Sequence, residues 1–120
     1  MKILICDDSL MIRRQFKNMI LEIGNHDVIE AVNGENAIAV YKENKPDLVY
    51  MDIIMPVLNG IGAINGIIEI DKNAKVIMLS SVGTKENLSE ALKAGAVDFI
   101  QKPVEMEILK RTLDKFYKEA

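Results

Sequence analysis

Short unbroken apolar runs alternate along the chain with stretches in which apolar residues return at helical spacing. Lys2–Asp7, KILICD, is an apolar run of strand length. Ser9 is a suitable helix N-cap, and Ile12, Phe16, Met19, Ile20 and Ile23 then follow helical spacing until Gly24-Asn25. Residues 27–32, DVIEAV, read as strand, with Asn33-Gly34 as a turn. A short helix over 35–44 places Ala37, Ile38 and Tyr41 together, and Pro46 breaks it before the apolar strand 48–52. Ile61, Ile64, Ile67 and Ile68 share one side of a helix over 60–70, and 75–80, KVIMLS, is the next strand. Residues 84–95 start at Thr84, set Leu88, Ala91 and Leu92 on one side and stop at Gly95. A fifth strand covers 97–101, and after Pro103 a last helix carries Leu109, Thr112, Leu113 and Phe116 in register.

Five strands alternating with five helices imply a doubly wound α/β domain, a mostly parallel sheet covered on both faces. In such a sheet ligands gather outside the carboxyl ends of the strands. Asp7 and Asp8 follow strand 1, and Asp52 ends strand 3 inside the apolar segment LVYMDIIMP. Ser80 ends strand 4, and Lys102 follows strand 5. Five polar groups far apart in sequence are therefore brought to one edge. Carboxylates gathered there repel, at about 3 kcal/mol for a pair ~5 Å apart and an effective dielectric near ~20. A hard divalent cation relieves that repulsion, and Mg²⁺ suits carboxylates, a backbone carbonyl and retained waters. Mg²⁺ also prepares a site for phosphoryl oxygens, and an aspartate can act as nucleophile to give an acyl phosphate. Lys102 could pair with the phosphoryl group, and the Ser80 hydroxyl could donate to it.

Composition limits the alternatives. With 120 residues, 49% hydrophobic and 28% charged, the chain reads as one undivided soluble domain. A net charge of −3 and a pI near 5.2 give no general attraction for nucleic acid. No apolar run approaches the ~20 residues of a membrane span, and the N-terminus turns acidic too early for a secretory signal. Cys6 stands alone, which precludes an internal disulfide and fits a reduced, cytoplasmic setting; it reads as a small buried hydrophobe. His26 reads as an exposed loop residue, and Lys110, Arg111 and Lys115 as the wet face of the last helix. Gly62 and Gly66 each cost helix 3 up to ~1 kcal/mol, so it should fray or use them for close packing.

The segments CDDS, MDIIMPVLNG, MLSS and AGAVDFIQKP, in that order, carry a family likeness. Over residues 2–118 the sequence resembles the receiver domains of two-component response regulators. The resemblance implies one receiver domain over 1–120, flavodoxin-like, with strand order 2-1-3-4-5 and a cis Lys102–Pro103 bond. It makes Asp52 the phosphoacceptor, with Mg²⁺ bound by Asp8, Asp52 and the Ile54 carbonyl and held by Asp7 through a water. Mn²⁺ or Ca²⁺ would substitute. Lys102 would pair with the phosphoryl group, Ser80 would move to bond it, and Phe99 would be the switch aromatic. The donor would be a sensor histidine kinase, a phosphotransfer protein or a small molecule such as acetyl phosphate. Phosphorylation would remodel the helix 4–strand 5–helix 5 surface, near Lys85, Leu88 and Phe99, for a downstream protein partner.

The chain would be a monomer before phosphorylation. It stops at Ala120 without linker or DNA-binding helices, so a stand-alone, chemotaxis-type regulator is expected over a receiver cut from a transcription factor. An aspartyl-nucleophile phosphohydrolase is the rival class. Against it, the paired acids lie at strand 1 and the nucleophile ends strand 3, without a cap domain. Four positions depart from the family pattern or modulate it. Phe99 lacks a tyrosine hydroxyl, and Val104 stands where the family often has phenylalanine. Apolar Ile54 and Val82 flank the site, where they should hinder an attacking water and lengthen the life of an aspartyl phosphate.

Overall fold

The structure is a computed structural model that describes residues 1–53, 55, 58–81 and 85–116, the side chains of 85–87 excepted. In chain order the elements are β1 (Lys2–Cys6), α1 (Leu10–Ile23), β2 (Asp27–Ala31), α2 (Gly34–Asn44) and β3 (Leu48–Asp52). Then follow α3 (Gly60–Ile70), β4 (Val76–Ser80), α4 (Lys85–Ala94), β5 (Asp98–Gln101) and α5 (Met106–Phe116). The strands form one sheet in the order β2-β1-β3-β4-β5, every neighbouring pair parallel. This is the doubly wound, flavodoxin-like arrangement that the alternating pattern and the resemblance lead one to expect.

The three central strands, β1, β3 and β4, read as nearly continuous apolar runs because helices bury both faces. Alternate residues feed two layers. Ile3, Ile5, Leu48, Tyr50, Ile77, Leu79 and Ile100 pack with Phe16 and Ile20 of α1 and Leu109 and Leu113 of α5. Leu4, Cys6, Val49, Met51, Val76 and Met78 pack with residues of α2, α3 and α4, among them Ala37, Ile64 and Ala91.

The caps follow the sequence closely, with exceptions. The Ser9 side chain accepts the Ile12 N–H and starts α1. Gly24 ends that helix in extended conformation, its N–H on the Ile20 carbonyl, without entering the left-handed region. Asn33-Gly34, read as a turn, is instead the start of α2: Asn33 Oδ1 accepts the Asn36 N–H at 2.8 Å. The Gly34 N–H goes to the Leu58 carbonyl at 3.1 Å, and the polar pair is thus the cap and first residue of the helix rather than a turn before it. Leu92 also departs from the expected pattern. It is 50% exposed, because α4 meets the sheet through Ala91 and Leu88, and the next position turns toward water. The proposed start at Thr84 lies outside the described residues. His26 is half-buried, its Nδ1 3.1 Å from the Met1 amine.

In α3 the structure favours packing as the reason for glycine. A Cβ on Gly66 would lie 2.4 Å from Cδ1 of Ile38, so its absence lets α2 and α3 approach closely. Among the described residues no helix is long and apolar enough to cross a membrane.

Candidate functional site

The alternation that sorts the two layers also aims the polar strand ends. Ile3 and Ile5 belong to the α1–α5 layer, and Asp7 continues their side; Asp52 follows Leu48 and Tyr50, and Lys102 follows Ile100. These three side chains meet. Lys102 Nζ lies 2.7 Å from Asp7 Oδ2 and 3.3 Å from Asp52 Oδ1. Asp7 and Asp52 are buried and Asp8 is exposed, yet one oxygen from each lies within 4.8 Å of the others.

Such a donor set fits a hard divalent cation: three anionic oxygens within mutual reach, one of them open to solvent. Burial pulls the Lys102 ammonium toward a lower pKa. Its hydrogen bond to Asp7 and the charges of Asp52 and Asp7 outweigh that, and the net shift is upward. Lys102 therefore stays cationic at neutral pH. Cys6 beside them is inert: burial first, then the charges of Asp7 and Asp52, push its thiol up to about 12. Its Sγ donates to the Asn33 carbonyl at 3.3 Å.

Ser80 and Phe99 occupy the other side. Ser80 is buried at the end of β4, where it continues the alternation of Val76 and Met78; Phe99 is half-buried against the same layer and in register with Met78. The Ser80 carbonyl accepts the Lys102 N–H at 2.8 Å, so the two polar residues are joined through the backbone. The Lys102–Pro103 bond is cis, as the resemblance implies. The Ile54 carbonyl and Val82 lie outside the described residues.

Two residues that sequence reasoning passed over help to build this edge. Arg13 is buried in the first turns of α1, its Nη1 donating to the Asp7 carbonyl at 2.8 Å and its Nε to Glu30 Oε1 at 3.0 Å. The doublet Arg13-Arg14 hides which arginine turns inward; register with Phe16 and Ile20 is the signal that separates them. Gly60 donates to the Ile53 carbonyl at 2.7 Å, and a Cβ there would lie 2.3 Å from the Asp52 carbonyl oxygen. It lets the start of α3 fold back onto the end of β3.

Clustered carboxylates and a lysine at the carboxyl edge of a doubly wound sheet suit the class of proteins that handle phosphoryl groups with a divalent cation. The sequence model of the response regulator receiver domain matches residues 3–114, and the chain belongs to that family. It is 45% identical over 117 residues to the chemotaxis protein CheY of Thermotoga maritima, covering 98% of each chain. With the CheY of Bacillus subtilis it shares 41% identity over 114 residues, 95% of each. A chain in the crystal structure of the CheX–CheY–BeF3–Mg²⁺ complex from Borrelia burgdorferi superimposes with a TM-score of 0.89 at 36% identity. That match covers 98% of this chain and 90% of that one. The chain is thus a two-component response regulator of the CheY-like kind, a signalling protein.

Proposed function

We propose that Asp52 accepts a phosphoryl group from a phosphohistidine of a sensor kinase or phosphotransfer protein, or from a small acyl phosphate. The observation that carries this reading is the Lys102 ammonium between Asp7 and Asp52, with Asp8 open beside them. A carboxylate oxygen of Asp52 attacks phosphorus as the bond to the leaving group breaks. Lys102 keeps its proton and pairs with a phosphoryl oxygen. Asp7, Asp8, Asp52 and the Ile54 carbonyl would hold Mg²⁺, which, when bound, neutralises phosphoryl oxygens during transfer. Mn²⁺ or Ca²⁺, which also take oxygen ligands, would substitute.

The product adds roughly −1.5 to −2 charge at Asp52. The Ser80 hydroxyl turns to donate to it, and Phe99 moves into the space vacated. The surface of α4, β5 and α5 then changes near Leu88, Phe99 and the backbone of Lys85, biasing two conformations of one chain. A downstream protein reads that surface. The chain's own chemistry is limited to phosphorylation by small donors and loss of the group by hydrolysis, slowed by apolar Ile54 and Val82. We read 1–120 as a single, stand-alone, chemotaxis-type receiver, cytoplasmic and monomeric before phosphorylation. Near-complete coverage of two CheY proteins supports this over a fragment of a transcription factor.

Acetyl phosphate with Mg²⁺ should add one phosphoryl mass to the chain, and none to Asp52→Asn. Equal labelling of that variant would refute the assignment of the acceptor.

A further inference from the structure

We infer that Arg13 is a positioning residue for the acidic pocket, setting its affinity for a divalent cation by locking Asp7. This rests on the reading of Asp7, Asp8 and Asp52 as cation ligands. Every hydrogen-bonding group of Asp7 is committed. Its N–H donates to the Ala31 carbonyl at 3.2 Å, and its Oδ1 accepts the Ser9 N–H at 2.9 Å. Its Oδ2 accepts from Lys102 at 2.7 Å, and its backbone carbonyl accepts from Arg13 Nη1 at 2.8 Å. Three of these partners belong to β2, to the backbone after Asp7 or to the site itself. Arg13 is the side chain that ties the pocket to a helix.

Arg13 is itself fixed from both ends. Its backbone N–H caps onto the Ser9 carbonyl at 3.0 Å, and its Nε is anchored on Glu30 of β2 at 3.0 Å. The guanidinium thus spans α1, the β1–α1 turn and β2. Only its planar fork can hold a carbonyl and a carboxylate together in this way; a lysine offers one compact ammonium. Partners that orient a ligand commonly govern metal affinity by ten- to hundredfold, although they never touch the ion.

Charge and position make opposite predictions, which renders the inference testable. Arg13 is a cation near an anionic pocket, so its loss by charge alone would tighten a divalent cation. Its loss as a lock would free Asp7 and weaken that cation. The Arg13→Ala, Glu30→Ala double variant removes one charge of each sign and separates the two effects.

Mg²⁺ binding is measured by calorimetry on the full chain, with melting temperature in the absence of metal as the check on folding. Arg13→Ala and the double variant should each bind about tenfold more weakly than the native chain, and Arg13→Lys should fall between. Should Arg13→Ala fail to fold, Arg13→Lys decides, since it keeps the charge and most of the packing and loses only the fork. Unchanged or tighter binding in folded variants, with the native chain binding normally, would overturn the role of Arg13. Absence of binding by the native chain would instead overturn the assigned cation ligands, and this inference with them.

Discussion

The two faces of the sheet are built from different materials. Under α1 and α5 lie branched aliphatics with Phe16 and Tyr50, whose rings sit 4.9 Å apart at 56°. A buried hydrogen bond of 2.7 Å between Tyr50 and Thr112 ties β3 to α5 there. Under α2, α3 and α4 the layer contains Ala31, Ala37, Ala63, Ala74, Ala91 and Ala96, with Met51, Met55 and Met78. Asp7, Asp52 and Lys102 stand over the first layer, Ser80 and Phe99 over the second. Both layers hold β-branched residues, Ile3, Ile5, Ile20, Ile77 and Ile100 in the first and Val49, Ile53, Ile64, Ile67 and Val76 in the second, so the difference lies in the alanines and methionines. Unbranched methionines adapt to altered space, and the two residues proposed to move stand over the layer that contains them.

The sharpest way to break that contrast uses two neighbours on β4. Ile77 and Met78 are both fully buried and face opposite layers. Large-to-small core changes cost about 2–5 kcal/mol, depending on how far the surroundings collapse. Ile77→Ala should therefore cost about 4 kcal/mol and Met78→Ala about 2, read from urea unfolding. Equal losses would mean that the layers yield alike.

The next effect tests the charges. Lys102→Met leaves Asp7 and Asp52 facing each other without their cation. With Lys102 itself partly exposed, we expect a loss of about 1–3 kcal/mol in metal-free buffer. Millimolar Mg²⁺ should restore much of it, because a ligand that binds only the folded chain stabilises it. A loss that Mg²⁺ leaves untouched would mean that the lysine acts by packing alone.

Much of this contrast is legible in the sequence, for an identifiable reason. A strand buried on both faces gives no alternation of polarity, so KILIC or LVYM reveals a strand without revealing which residue faces where. The polar residue that ends each run restores that information: Asp7, Asp52, Ser80 and Lys102 locate the edge. What stayed hidden depends on register between elements. The register of Phe16 and Ile20 singles out Arg13 over Arg14, but its partners, the Asp7 carbonyl and Glu30, appear only once α1 is docked. Asn33 caps α2 while the Gly34 N–H reaches the distant Leu58 carbonyl. Leu92 obeyed the helical period yet faces water, because α4 docks through Ala91 and Leu88.

A smaller effect concerns the hydrogen bond within the first layer. Tyr50→Phe keeps the ring against Phe16 and removes one buried bond to Thr112. Thr112 still donates to the Leu109 carbonyl at 2.9 Å, so no hydroxyl is left stranded. The cost should be about 1 kcal/mol by thermal melting. A loss above about 3 kcal/mol would mean that the bond organises α5 as a whole.

The smallest effect compares the tyrosine on the other side. Tyr41 of α2 is buried, and its hydroxyl donates to Asp71 Oδ2 at 2.9 Å. Burial, then that hydrogen bond and the charge of Asp71, push its pKa well above the ordinary 10.0. In the unfolded chain the phenol ionises near 10.0, while in the folded chain it keeps its proton. The folded state then binds more protons, so stability falls as pH rises through that value. At about pH 8 both states are protonated, and Tyr41→Phe should cost no more than about 1 kcal/mol. At about pH 11 the native chain has lost part of Tyr41's contribution, so the gap between native and variant should shrink. Tyr50, Cys6 and Lys102, all shifted upward, keep their own alkaline losses in the variant, which therefore flattens the decline without abolishing it. A gap that widened with pH would show that the Tyr41 phenol ionises more readily in the folded chain, the reverse of what its buried place against an acid requires.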